Sequence, residues 1–318
     1  MENIAFGPVP SRRLGRSIGI NNIPPKICSY ACIYCQLGRA INMDYQPKEY
    51  YKPEEVIEAV KEKLAIAEKK GDTVDYLTFV PDGEPTLDVH LEAEVDALKE
   101  LGYPLAIITN SSLMDAPRVR EILNKIDLVS VKVDAVDRDT WKKINRPHKN
   151  LNLDSILKGL ESFSNAHEGK LITETMLIDQ VNDSEKVLEN TAKFIATIKP
   201  DASYISIPTR PPARKSVKPA GEKHVNKAFQ IFSEHIDRVE YLIGYEGNVF
   251  SHTGDTEKDI LSITAVHPMR EDAIHEFLEK DNKDKQLIDK LVKEGKLLET
   301  EFRGKKFYVR KFVDHQQT

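Results

Sequence analysis

The chain has three cysteines in 318 residues, and all fall in one stretch, Cys28-Ser29-Tyr30-Ala31-Cys32-Ile33-Tyr34-Cys35. The spacing is C-x3-C-x2-C. Thiolates are soft ligands that suit zinc or iron–sulfur clusters. A closed structural zinc site takes four ligands, so a histidine would have to complete it. A [4Fe-4S] cube held by three cysteines instead leaves one iron with an open position for a substrate-like ligand. An odd number of cysteines packed this closely makes a poor disulfide framework. A zinc site or three unrelated thiols are the competing readings.

Other chemistry-bearing residues sit where short apolar, β-rich runs end. Asp82-Gly83-Glu84-Pro85-Thr86 follows the run 76–80; Glu84 either meets a bound ligand or caps the next helix. Asn110 and Ser111 follow 105–109 and offer hydrogen bonds to a ribose or carboxylate, although Asn is also a turn residue. Lys132 and Asp134 flank Val133 and share one face of a strand, as a site-facing pair or a solvent-exposed ion pair. Glu174 lies inside the apolar run 171–178 and needs a partner or a cavity. Arg210 closes the run 202–207 and suits an anion. His148, in Arg146-Pro147-His148, is a substrate contact or a surface histidine. Arg12, Arg13 and Arg16 bind phosphate or carboxylate, or form a structural basic rim.

The elements that must position these groups alternate. Residues 54–69 follow Pro53, carry Glu54 and Glu55 in the first turn and stop before Gly71, which is helix start and stop chemistry. Strand-like and helical segments then alternate to residue 243, which implies βαβ units and a parallel sheet. About six units predict an α/β fold, a partial (β/α)6 TIM-like barrel, with an open doubly wound sheet as competitor. In such a barrel functional groups lie on loops after the strands. Residues 208–219 are proline-rich and cannot form a regular helix.

After Gly254 the pattern changes. Helices at 256–266, 270–279 and 285–293, then strands at 297–302 and 305–309 joined at Arg303-Gly304, give the order of a winged helix-turn-helix. The expected domains are 1–254 and 255–318. Residues 283–311 hold ten Lys/Arg against five acids, a balance of +5, which suits nucleic acid or a protein-docking face. The whole chain, at −5, is not a basic protein. No apolar run is long enough to span a membrane, and residues 1–10 lack signal-peptide character. A cytoplasmic protein with no membrane partner is expected.

VPSRRLGRSIGI, CSYACIYCQLGR, DGEPTL, VKVDAVD, NRPHKNL, TETMLI, SIPTRPPA and IGYEGNVFS together resemble the radical SAM superfamily, in the branch grouped with wyosine-type tRNA-base synthases. The resemblance implies a [4Fe-4S] cluster on Cys28, Cys32 and Cys35, with S-adenosylmethionine bound by its amino and carboxylate groups at the open iron. Reductive cleavage would then give methionine and a 5′-deoxyadenosyl radical that abstracts hydrogen from a substrate. It places Tyr34, Glu84, Asn110, Ser111, Lys132, Asp134 and Arg210 at the cofactors. Asp82-Gly83-Glu84 stands where the family has Gly-Gly-Glu. A reductant such as flavodoxin or ferredoxin is implied, and an RNA or protein substrate through the winged helix. Wyosine synthases carry further cysteines for a second cluster, and this chain has none left. Two other function classes are a redox-responsive iron–sulfur protein that binds nucleic acid and a protein-modifying activase.

Overall fold

The structure, a computed structural model, describes residues 4–38, 42–243, 255–266 and 268–311. Strand β1 (Ala5–Ser11) turns back into β2 (Gly15–Ile20), and the two pair antiparallel from Ala5↔Ile20 to Ser11↔Gly15. β2 then pairs in parallel with a later strand, β5. The loop between them carries β3 (Ile27–Cys28), β4 (Asn42–Met43) and the start of α1 (Pro53–Lys70). The backbone N–H of Lys52 donates to Glu55 at 2.9 Å at the start of α1, and Gly71, at φ 71°, ends it.

The alternation continues through β5 (Tyr76–Phe79), a 3₁₀ turn (Pro85–Leu87), α2 (Leu91–Lys99), β6 (Leu105–Thr109), α3 (Pro117–Leu123) and β7 (Leu128–Lys132). Two helices follow, α4 (Arg138–Ile144) and α5 (Leu153–Ala166). Then come β8 (Lys170–Met176), α6 (Glu185–Thr197), β9 (Ala202–Ser206), α7 (Glu222–Ser233) and β10 (Val239–Leu242). Helix α4 is an additional helix between β7 and α5; the Asp137 carboxylate accepts the Thr140 N–H at 2.8 Å to start it.

The sheet order is β1-β2-β5-β6-β7-β8-β9-β10. Strands β2 and β5 to β10 are parallel neighbours in chain order. A doubly wound sheet reverses its order at a switch point, and this one does not. Its run of parallel strands is one longer than the six expected, because 15–20 forms β2 and joins the sheet beside β5. Leu77, Ile107, Val131 and Ile205 pack with the helices, while Ala106, Leu128, Ile172 and Tyr204 fill the other face. That parity turns Lys132, Glu174 and Ser206 to the inner face at the ends of their strands.

Residues 255–311 supply α8 (Thr256–Val266), β11 (Met269–Arg270), α9 (Glu271–Lys280), α10 (Gln286–Lys293), β12 (Leu297–Phe302) and β13 (Lys305–Arg310). They form a sheet of order β11-β13-β12 and a separate core that includes Ile260, Ile274, Leu291 and Tyr308. Val9 of β1 packs against that core. Arg303 and Gly304 both have positive φ, the requirement of a two-residue type I′ hairpin. The expected boundary at residue 254 and most of IGYEGNVFS lie outside the described residues. Among the described residues, no helix is long and apolar enough to cross a membrane.

Candidate active site

The loop from residue 21 to α1 carries the cysteines. It is held on three sides. Cys28 pairs with Met43 across β3 and β4, and the Asp44 N–H donates to the Cys28 carbonyl at 3.1 Å. The N–H of Ala31 donates to the Asn145 carbonyl at 3.0 Å, and that of Ile33 to the Ile144 carbonyl at 2.9 Å, so the end of α4 pins the stretch between Cys28 and Cys35. The Glu84 N–H donates to the Ile27 carbonyl at 3.1 Å. The approach there is so close that a Cβ on Gly83 would lie 1.9 Å from the Ile27 oxygen; only glycine fits.

All three thiols are free and half-buried. Two side-chain amides aim at them: Asn110 Nδ2 donates to Cys28 Sγ at 3.4 Å, and Asn145 Nδ2 to Cys32 Sγ at 3.5 Å. Burial, then the neighbouring Cys32 and Glu84, pushes the Cys28 thiol well up. Burial and then Asp134 push Cys32 up to about 12, and burial raises Cys35. Thiols in this setting need a cation to become thiolates, and a metal centre supplies one.

Their spacing tests which centre fits. Around a single tetrahedral zinc, with Zn–S near 2.3 Å, sulfurs sit about 3.8 Å apart. Two ligand groups among the described residues have all their atoms within 4.8 Å of one another, Asp179-Asp183-His224 and Glu189-Glu234-His235. The cysteines form no such group, so at least one Sγ pair is wider than 4.8 Å. Three thiols with amide donors on two of them fall one ligand short of a closed zinc site and suit an iron–sulfur cluster with one metal position open.

The predicted strand-end residues gather beneath this loop. The Tyr34 hydroxyl donates to Asp134 Oδ2, Asn145 Nδ2 donates to the same oxygen at 2.7 Å, and the Met176 N–H donates to Asp134 Oδ1 at 2.9 Å. Lys132 does not pair with Asp134. Its Nζ lies 3.0 Å from Glu174 Oε1 and 5.2 Å from the centre of the Tyr34 ring. Arg13 meets the other Glu174 oxygen at 2.5 Å, and Ser206 Oγ donates to Oε1 at 2.9 Å. Arg13 therefore serves Glu174 rather than an external anion, and the partner that sequence demanded for Glu174 is double. Burial alone would raise the Glu174 carboxyl, but Lys132 and Arg13 outweigh it and hold it far below the carboxylate range. Burial likewise pulls Lys132 down, and Glu174 and Asp134 overcome it, leaving its pKa raised. Arg16 lies outside the site in an ion pair with Asp72 at 2.9 Å.

Glu84 is fully buried. Its Oε1 accepts Thr86 N–H at 3.2 Å, Thr86 Oγ1 at 2.7 Å and Thr109 Oγ1 at 2.6 Å, and its Oε2 accepts Asn110 N–H at 2.7 Å. It caps the 3₁₀ turn and ties that turn to the end of β6. Ser111, at φ 67°, exchanges hydrogen bonds with the backbone of Lys132. Asn110, Ser111, Lys132 and Asp134 line one void of about 20 Å³, room for a water and not for a nucleoside. Arg210 donates to Gln36 Oε1 at 2.9 Å, joining the proline-rich loop to the residue after Cys35.

Sequence reasoning missed Asn145, the amide partner of both Cys32 and Asp134. It also missed the Ser29–Ser112 hydroxyl pair at 2.5 Å. An open cleft of about 490 Å³ flanks the cysteine loop at Cys32 and Ile33. His148 lines it, stacked on Tyr45 at 4.7 Å, with its N–H on the Ser29 carbonyl at 2.9 Å.

The family model for the Radical SAM superfamily matches residues 22–195. A UPF0026 protein of Methanocaldococcus jannaschii is 48% identical over 309 residues, covering 96% of each chain. A radical SAM methyltransferase from Sphaerobacter thermophilus aligns with a TM-score of 0.56 at 15% identity, over 71% of this chain and 66% of that one. TYW1 with a lysine-pyruvate adduct bound aligns with a TM-score of 0.54 at 18% identity, over 69% of this chain and 74% of that one. These two likenesses are of fold.

Proposed function

The chain belongs to the radical SAM superfamily, and from that premise we propose that Cys28, Cys32 and Cys35 hold the cluster at which this enzyme cleaves S-adenosylmethionine. Its cofactors are a [4Fe-4S] cluster and S-adenosylmethionine. When bound, the cluster would supply the one electron that breaks the C5′–S bond of S-adenosylmethionine, leaving methionine and a 5′-deoxyadenosyl group able to take a hydrogen atom from the substrate. The observation that carries this reading is the set of three free thiols on one loop with amide N–H groups on two of the sulfurs.

The residues around the loop then take distinct roles. Asn110 and Asn145 stabilise negative charge on the cysteine sulfurs, as hydrogen bonds to cluster ligands do. Asp134 fixes Tyr34 and Asn145, and Glu84 and Ser111 hold the loop ends; these three are positioning residues. The Arg13–Glu174–Lys132 triad closes the interior beneath Tyr34. Arg210, through Gln36, keeps the proline-rich loop against the cysteine loop. Flavodoxin or ferredoxin serves as reductant.

Residues 255–318 form, in this reading, a winged helix-turn-helix that docks the substrate, with 1–254 as the catalytic domain. Thirteen Asp/Glu match thirteen Lys/Arg over 255–311, so charge gives no support to RNA docking through that unit. An RNA base as substrate rests on the wyosine-type resemblance alone.

The test is anaerobic reconstitution, reduction with dithionite and addition of S-adenosylmethionine, with 5′-deoxyadenosine read by mass. Wild type is expected to form it, and Cys32→Ala to give background. Equal yields from the two would end the reading.

A further inference from the structure

We infer that the cleft beside Cys32 is an anion site that takes the phosphate group of a small phosphorylated substrate of nucleotide size. Four cations from two segments line it: Lys142 on α4 with Arg146 and Lys149 just after it, and Arg214 in the proline-rich loop. All four are exposed. No described Asp or Glu lines the cleft. None of the four makes an ion pair or a side-chain hydrogen bond among the described residues, in contrast to Arg13, Arg16, Lys125 and Lys132.

Like charges gathered in a concave site without a counter-ion repel one another and focus a positive field on the space between them. A phosphate relieves that repulsion, and the two guanidinium groups suit bidentate phosphate contacts. His148 adds a ring nitrogen beside them. The backbone holds these groups in place: the Arg146 carbonyl accepts the Ala31 N–H at 3.2 Å, and the Arg214 N–H donates to the Ile33 carbonyl at 3.2 Å. Both bonds land on the segment that contains Cys32, so a phosphate held here is tied to the reacting end of the molecule.

The occupant is small rather than a chain. A volume of about 490 Å³ falls within the range of small-ligand pockets, roughly 300–1,000 Å³. That such a ligand is the substrate rests on the function proposed above; that the cleft binds phosphate does not.

The probe is inorganic pyrophosphate, titrated calorimetrically into the anaerobically reconstituted protein. Wild type is expected to bind it, more weakly as salt rises. Arg146→Glu/Arg214→Glu is expected to weaken binding about tenfold or more, as loss of charged hydrogen bonds does, with iron and sulfide content serving as its folding control. Lys142→Gln/Lys149→Gln, a milder change, is expected to weaken it less. Lys293→Glu/Arg303→Glu, in the C-terminal unit, is expected to bind like wild type. Equal binding by wild type and both cleft variants, or loss confined to the C-terminal variant, overturns the site. A structured RNA that displaces pyrophosphate where mononucleotides do not overturns the small ligand. Failure to form 5′-deoxyadenosine with pyrophosphate binding intact would strike the proposed activity and leave the anion site standing.

Discussion

The rim beside Cys32 and the C-terminal unit are both rich in cations, and they use them differently. In the C-terminal unit, Lys296 sits 2.7 Å from Glu257 and 2.8 Å from Glu294, Lys290 sits 3.1 Å from Glu257, and Lys306 sits 3.1 Å from Glu299. These cations are answered within the unit. Beside Cys32, four cations share a cleft and have no such partners among the described residues. A third arrangement lies on the inner face of the parallel sheet, where one carboxylate, Glu174, answers Lys132 and Arg13 together. A cation count along the chain cannot separate these cases. What distinguishes them is where the acids sit in space.

The sharpest way to test the contrast is to remove the acid from the interior. Glu174→Gln leaves Lys132 and Arg13 buried without a counter-charge and is expected to cost about 3–5 kcal/mol, read by urea unfolding. The pH dependence follows from the sign of the shift. The folded-state carboxyl lies far below its unfolded value, so its stabilisation is present above that unfolded value, about 4.3. It is lost as pH falls from about 5 toward the folded pKa. Wild type is expected to lose stability on acidification through that window, and Glu174→Gln to lose less. Parallel acid profiles would contradict the triad.

Asp134→Ala comes next. It strips partners from Tyr34, Asn145 and the Met176 N–H at once, and about 2–3 kcal/mol is expected because buried polar groups are left unmet. Cluster loading, read as iron per chain, is expected to fall with it. The smallest effect belongs to the surface of the C-terminal unit. Lys296→Ala breaks two surface ion pairs, which contribute little, and its thermal midpoint is expected to match wild type. A large drop there would erase the distinction between answered surface charge and the interior triad.

The cysteine spacing and the strand–helix alternation were legible because each is local. The helices were found because caps and stops lie next to the residues they govern, as Gly71 does for α1. The place of β2 in the parallel sheet was not legible, because it is set by pairing with β5 about sixty residues on. α4 is short and polar, and its role depends on the cysteine loop it pins. Glu84 was correctly placed at a strand end, yet its four donors come from Thr86, Thr109 and Asn110, which makes it a cap and a tie. The partnership of Arg13 with Glu174 spans 161 residues, and that of Arg210 with Gln36 spans 174. No window on the sequence holds either pair. The cleft was invisible for the same reason, since Arg146 and Arg214 meet only after folding.

If Cys28, Cys32 and Cys35 hold a cluster, one metal position is left for S-adenosylmethionine. Electron paramagnetic resonance of the anaerobically reconstituted, dithionite-reduced protein tests it most directly, with and without S-adenosylmethionine. A reduced [4Fe-4S] signal is expected that shifts when S-adenosylmethionine is added and is absent in Cys32→Ala. A protein that takes up one zinc ion and no sulfide, or a cluster signal indifferent to S-adenosylmethionine, would contradict it.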